Sequence, residues 1–356
     1  MNNAIFIAAT GQNVGKTTLC LGIIAALQRR FGRVGFIKPI GQQHVKVEDT
    51  IVDKDAVLFK KHFKLPSSYH DMSPVILPSG FTRDFLDGKI DPKIEQQKIV
   101  DAFRTISSEN DYTVVEGTGH VGVGSIVNMN NAKVASLLGI DMIIIASGGL
   151  GSSHDELALN IAMCRHYGVN VRGVILNRVL DEKRRMIIDY FPKALKHWGI
   201  PLIGCLPYSD LLSKPTMRDF ENLFTTPLLA GHKHGYRHFY HNRLVAGSIE
   251  AFHDEYMQNE LIITPASRED VVLAMLEKHD FNGGMILTGR HPPRTSIIEA
   301  LKSANIPTLY APICSYDAMG MITSFTAKIR TEDKEKVDKA IQIVENNIDF
   351  TLLTET

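Results

Sequence analysis

Residues 4–30 read AIFIAATGQNVGKTTLCLGIIAALQRR, and the order of textures in this stretch decides the fold. Ala4–Ala9 is a continuous apolar run, the pattern of a strand covered on both faces. Gly11–Gly15 is a glycine-bounded loop, and after Lys16, Thr17 and Thr18 the residues Leu19, Ile23, Ile24 and Leu27 recur at helical spacing. Strand, loop and helix in this order, closing on Gly15-Lys16-Thr17, predict a phosphate-binding loop. Such a loop aims consecutive backbone N–H groups and a helix N-terminus at an anion, while the lysine bridges the outer phosphates and the hydroxyl holds Mg²⁺. The strict pattern G-x-x-x-x-G-K-[ST] asks for glycine at position 10, where this chain has Thr10, with Gly11 one step late. The strand before the loop and the helix after it outweigh the missing glycine. The expected nucleotide contacts are Gly11, Gln12, Asn13, Val14, Gly15, Lys16, Thr17 and Thr18.

Working outward, AIFIAA is followed by VGFIKP, YTVVEG, DMIIIAS, VRGVILN and PLIGCLP, separated by helix-length stretches from Lys16, Pro92, Asn131, Ser153 and Asp181. This alternation predicts an α/β fold, a doubly wound and mostly parallel sheet. The rhythm changes near LPYSDLLSKPTMRDF, and TTPLLAGHKHGYRHFYHN has no clean period. A second alternation then runs through ELIITPA, GGMILTG and PTLYAP to a last helix from Glu332 to Asn347. The expected division is a nucleotide-binding domain over 1–212, a linker over 213–241 and a second, smaller α/β domain over 242–356.

The bulk numbers agree with that plan. At 356 residues two domains are the prior expectation. Lysine plus arginine equals aspartate plus glutamate at 39 each, which gives no reason to invoke nucleic acid or an anionic membrane as a partner. The four cysteines (Cys20, Cys164, Cys205 and Cys314) form no C-x-x-C pair, the N-terminus has no basic leader, and no apolar run approaches a membrane span. A reducing cytoplasm fits these features best.

Two carboxylates are candidates to complete a Mg²⁺–phosphate site. Glu116, in VVEGTGH, closes a buried strand at the edge where doubly wound sheets bind ligands. Asp55, in DKDAVLF, opens a helix, so capping explains it as well as metal binding does. Lys38 ends the strand in FIKPIGQ; it can snorkel to solvent or project over the same crevice. A second lysine on a phosphoryl group would suit a transition state that spreads negative charge.

Together TGQNVGKT, FIKPIGQ, DKDAVLF, VVEGTGH, GGLGSSHDEL, GVILNRV and PLIGCLPY, in this order, resemble the dethiobiotin synthetase-like P-loop family, including the N-terminal domain of long phosphotransacetylases. The resemblance implies ATP and Mg²⁺ as ligands, with Lys16 and Lys38 as the catalytic pair. It places Thr17, Asp55 and Glu116 on the metal and Asn177 on the base. Gly117, Thr118, Gly119 and Ser152 would line the acceptor pocket. A homodimer is implied as well. The chain departs from the synthetases at Ala9, where they carry the loop's first glycine, and in GHVGVGS, which disfavours diaminopelargonate as acceptor. The later stretches LVAGSIEAF, REDVVLAML, GGMILTG, IPTLYAP and KIRTEDKEKVDKAI resemble the domain named for a D-R-T-G-G motif, here replaced by TPASR at Thr264–Arg268.

Two functions follow as expectations. One is an enzyme, an ATPase or a carbon–nitrogen ligase-like activator of a carboxylate or carbamate, acting on an unknown small-molecule acceptor. The other is a nucleotide-sensing regulatory module for a partner enzyme such as a phosphotransacetylase. A partitioning ATPase would need a lysine where Gly11 stands. His238 and His241 are spaced as a metal pair in a helix, though a surface loop is the plainer reading, and Cys314 reads as a buried thiol. Gly283, Gly284 and Gly289 suit either a second anion pocket or simple turns.

Overall fold

The computed structural model describes residues 3–247, 257–278 and 280–354. Its chain forms two compact units, residues 1–209 with 329–356 and residues 210–328. The apolar runs of the first unit become six parallel strands: β1 (Ala4–Ala9), β2 (Val34–Ile37), β3 (Tyr112–His120), β4 (Met142–Ser147), β5 (Val171–Val179) and β6 (Leu202–Pro207). Their order is β6-β5-β4-β1-β3-β2, so connections leave β1 in both directions. That reversal opens a crevice at the carboxyl ends of β1 and its neighbours. The principal helices of this unit are α1 (Lys16–Phe31), α2 (Lys54–Phe63), α3 (Pro92–Glu109), α4 (Asn131–Leu138), α5 (Gly151–His166) and α6 (Asp181–Leu195). An antiparallel hairpin, His44–Val47 with Thr50–Asp53, precedes α2.

The second unit is also α/β, with strands β7 (Leu228–Ala230), β8 (His241–Leu244), β9 (Glu260–Pro265), β10 (Gly284–Thr288) and β11 (Thr308–Ala311) in the order β7-β11-β10-β9-β8. Alternation along β9 sends Ile262 into one core with Met285, Leu287 and Leu301, and Leu261 and Ile263 into the other with Phe220, Phe239 and Leu309. Residues 213–241, expected as a linker, instead carry a helix at Met217–Phe224 and the strand β7. Part of LVAGSIEAF, Ser248–Phe252, lies outside the described residues. Among the described residues no helix is long and apolar enough to cross a membrane.

The last helix corrects the expected boundary. Lys334–Asn347 follows the second unit in sequence but packs with the first, against α1. Val344 and Glu345 face α1, where Arg29 pairs with Glu345 at 2.9 Å. Beyond it Asp349 N donates to Ile203 O at 2.9 Å, and Leu353 O accepts from Arg172 at 2.9 Å. The helix that carries the phosphate loop is thus braced from behind by a segment more than three hundred residues away in sequence.

Gly22 makes this brace close: a Cβ there would lie 2.2 Å from the Cβ of Val344. Gly22→Ala is expected to destabilise the chain by about 1–3 kcal/mol through overpacking, despite the better helix propensity of alanine. Thermal unfolding measures this, and adding Val344→Ala should recover part of the loss if the clash is the cause.

Candidate functional site

The phosphate loop follows β1 directly. Two of its residues are left-handed, Asn13 at φ 56° and Gly15 at φ 101°. Gly15 is needed twice over, because a Cβ would lie 2.2 Å from Asn177 Nδ2 as well as sitting in that conformation. Position 10 is not among the left-handed residues, so a side chain is tolerated there. Thr10 uses it: its hydroxyl donates to Glu156 Oε2 on α5 at 2.8 Å. Asn177, at the end of β5, is 7% exposed and donates from Nδ2 to Val14 O at 2.7 Å. Its amide therefore holds the loop itself, a role the expected base contact did not include.

Around Glu116 the structure draws together the expected charged residues. Glu116 is 1% exposed and lies in the middle of β3, which continues to His120 instead of closing at Glu116 as expected. Its Oε1 accepts from Thr17 Oγ1 at 3.1 Å and from Lys38 Nζ at 3.0 Å. Lys38 also pairs with Asp55 Oδ2. Lys16 Nζ donates to Gly119 O at 2.8 Å and to Gly11 O at 3.4 Å. Lys38 therefore projects inward rather than snorkelling, at 6% exposure.

The capping role considered for Asp55 falls to its neighbour. Asp53 is the cap of α2, accepting from Asp55 N at 2.9 Å, which leaves the Asp55 carboxylate for Lys38. Burial lifts the Asp53 carboxyl above its ordinary range, against the pull of Lys38.

Burial dominates the electrostatics of the cluster as well. It raises Glu116 from the usual 4.5 to about 7, with Lys38 opposing. It lowers Lys16 from 10.5 to about 8, with Glu116 opposing. Lys38 goes the other way: burial alone would lower it, but Asp55 and Glu116 together hold it well above its usual value.

The acceptor-side residues are placed unequally. Gly117 packs so closely that a Cβ would lie 2.7 Å from both Phe6 and Asn131. Thr118 donates its hydroxyl to Ile40 O, and Gly119 lends its carbonyl to Lys16. Ser152 is exposed; its neighbour Ser153 is the buried one, donating to Ser147 O at 2.6 Å. Thr18, in the first turn of α1, is half-buried. Asn131, Glu156 and Asn160 were missed in sequence, since a polar residue on a helix normally reads as solvated. Cys314 is exposed rather than buried, and its sulfur accepts from Asp317 N to cap the helix at Ser315–Ser324.

The donor set fits a divalent cation with oxygen ligands. Glu116 Oε2 is buried with no hydrogen-bond partner among the described residues, a costly state for a carboxylate oxygen. Thr17 Oγ1, Glu116 and Asp55 are hard oxygen donors of the kind Mg²⁺ takes.

This fold and loop define an α/β protein of the P-loop NTPase class. Residues 3–216 match the AAA_26 family, described as an AAA domain, and residues 223–325 match the DRTGG domain. The chain belongs to that P-loop family, with a DRTGG domain following. It is similar to the phosphate acetyltransferase of Pseudomonas aeruginosa, 27% identical over 99% of this chain and 52% of the relative. Against the phosphate acetyltransferase of Nitratidesulfovibrio vulgaris the identity is 25%, over 99% and 51%. The chain thus spans about half the length of these curated relatives. The ATP-dependent dethiobiotin synthetase BioD of Clostridium acetobutylicum is 23% identical over 64% of this chain and 97% of its own. The solved MinD of Pyrococcus horikoshii, complexed with Mg-ADP, is 17% identical over 60% of this chain and 84% of its own, at a TM-score of 0.38, too loose to bear on the chemistry.

A proton and a bound Mg²⁺ would compete for Glu116. Between about pH 4.5 and 7 the folded chain keeps a proton that the unfolded chain releases, so this group makes the empty protein less stable as pH rises through that window. Metal binding runs the opposite way, because it needs the ionised carboxylate. The Mg²⁺ concentration for half-maximal nucleotide-dependent thermal stabilisation should fall about tenfold per pH unit up to about 7 and level off above it. Titrations at pH 6, 7 and 8 check this; an identical slope in Glu116→Gln would assign the proton elsewhere.

Proposed function

We propose that this chain binds Mg-ATP at the Glu116 cluster and uses it, hydrolysing ATP or activating a carboxylate or carbamate on an acceptor beside residues 117–119. The observation that carries the reading is the convergence of two lysines and two carboxylates on the N-terminal end of α1, beside a phosphate loop. Bound Mg²⁺ would supply charge neutralisation of the outer phosphates, held by Thr17, Glu116 and Asp55.

The chain's own residues account for the rest. Residues 11–18 surround the phosphates with backbone N–H groups. Lys16, cationic below about pH 8, bridges the outer phosphates. Lys38 has two carboxylate partners. An arriving phosphoryl group would offer its ammonium a third anion, so Lys38 could move to the phosphate, and Asp55 and Glu116 would be the carboxylates that hold Mg²⁺. Two cations on the transferring group spread the charge of a loose transition state. Asn177 keeps Val14 in place through one amide hydrogen and has a second for the base.

The setting we propose is a cytoplasmic homodimer, supported by the scattered cysteines and by the family resemblance, with neither nucleic acid nor membrane as partner.

Mg-ATP at about a hundred times its Kd should stabilise the chain by about 2.7 kcal/mol, raising the melting temperature by several degrees. Lys16→Ala should remove the effect. No shift in the wild type at millimolar Mg-ATP would refute the site. Phosphate release assayed with and without amines, carboxylates and hydrogencarbonate tests the acceptor step, and stimulation by none of them would favour nucleotide sensing over transfer.

A further inference from the structure

Residues 118–121 are pinned more firmly than a phosphate site requires. The side chain of Asn131, 3% exposed, accepts from Thr118 N at 3.1 Å and donates to Thr118 O at 2.8 Å and His120 O at 2.7 Å. Val121 N donates to Oδ1 of Asn160, 8% exposed on α5, at 3.0 Å. Lys16 holds Gly119 O at 2.8 Å. The main chain on both sides of His120 is thereby tied to α1, α4 and α5, and His120 itself pairs across the sheet with Ala9, the residue before the phosphate loop.

The imidazole of His120 is exposed at this fixed point. Its Nδ1 accepts from Gly122 N at 3.1 Å. An accepting ring nitrogen is unprotonated, so in the neutral ring the hydrogen sits on Nε2. Gly122 leaves little room for anything larger: a Cβ would lie 3.3 Å from His120 Cε1 and 3.2 Å from Met163 Cε. The result is an N–H donor on a rigid base, one residue beyond the carbonyl that Lys16 bonds. The carboxylate of Glu156 is turned to Thr10 Oγ1 at 2.8 Å.

We infer that His120 is a specificity-determining residue, which selects a small carboxylate as acceptor by donating from Nε2–H to one of its oxygens. The inference rests on the reading that Mg-ATP binds beside it. Lys16, Lys38, the start of α1 and His120 together offer donors, which suits an anion. In the step, the free carboxylate oxygen forms a bond to the terminal phosphorus of ATP as the bond from that phosphorus to the bridging oxygen breaks. ADP departs with the electron pair, the product is an acyl phosphate, and no proton needs to move. His120 donates from Nε2–H to the oxygen that does not attack.

The test uses the full chain at saturating Mg-ADP, with acetate, hydrogencarbonate and the neutral isostere acetamide as probes of further thermal stabilisation. Acetate or hydrogencarbonate should add to the shift and acetamide should not. His120→Gln, whose amide N–H reaches the place of Nε2–H, should retain most of the response. In His120→Ala and in His120→Asn, whose amide reaches only the Nδ1 position, the half-maximal acetate concentration should rise about tenfold. The inference is overturned if acetamide acts like acetate, if His120→Asn responds like the wild type, or if a wild type that shifts with Mg-ADP ignores both anions. Absence of the Mg-ADP shift would instead sink the nucleotide reading itself, so the two failures are told apart.

Discussion

A buried carboxylate organises this molecule. Glu116 sits at 1% exposure in the middle of a parallel sheet, where an ionised group survives only with partners close at hand. Its partners come from three separate segments: Thr17 from the phosphate loop helix, Lys38 from the end of β2, and Asp55, through Lys38, from the start of α2. These contacts fix where the segments end relative to one another, and with them the mouth of the crevice. One oxygen is shared by Thr17 and Lys38 while the other has no partner among the described residues, which is an uneven way to bury a charge. An imbalance of this kind suits a site built for an occupant better than one built for stability.

Much of this was readable in advance, for identifiable reasons. Strands buried on both faces appear as continuous apolar runs, and all six runs in the first part of the chain became strands of one sheet. Lys16, Thr17 and Lys38 could be found because each follows the carboxyl end of a strand or opens the helix after it. Glu116 could be found because a carboxylate in an apolar run ahead of two glycines is hard to read as solvated, although β3 runs on to His120. Asp55 was ambiguous because Asp53 and Asp55 both stand at the start of α2, and only geometry shows that Asp53 caps the helix. Asn131 and Asn160 were invisible for a different reason. Their value lies in which backbone they reach, Thr118 and His120 for one and Val121 for the other, and neither contact is local in sequence.

The last helix shows a different limit. Val337, Ala340, Ile343 and Val344 form an apolar stripe that predicts a packed helix. A stripe says that a face is buried and nothing about which surface buries it. Contiguity suggested the second unit, yet the helix closes against α1, where Gly22 leaves the gap that Val344 fills. The only trace in the sequence was a glycine inside a helix of good formers, a cost of about 1 kcal/mol that invites a packing explanation.

Thr10 joins these threads. A glycine is expected at the first loop position on the premise that the turn needs its backbone freedom. Here the left-handed residues are Asn13 and Gly15, and the chain enters the loop without one at position 10. Freed from that demand, position 10 carries a hydroxyl that ties the loop to Glu156, while Asn160, one turn along the same helix, ties that helix to Val121. A single face of α5 therefore registers the phosphate loop against the segment that follows Glu116. In a strict glycine loop this registration would have to come from elsewhere. The substitution at position 10 is thus better understood as an added contact between the two halves of the crevice than as the loss of a turn residue.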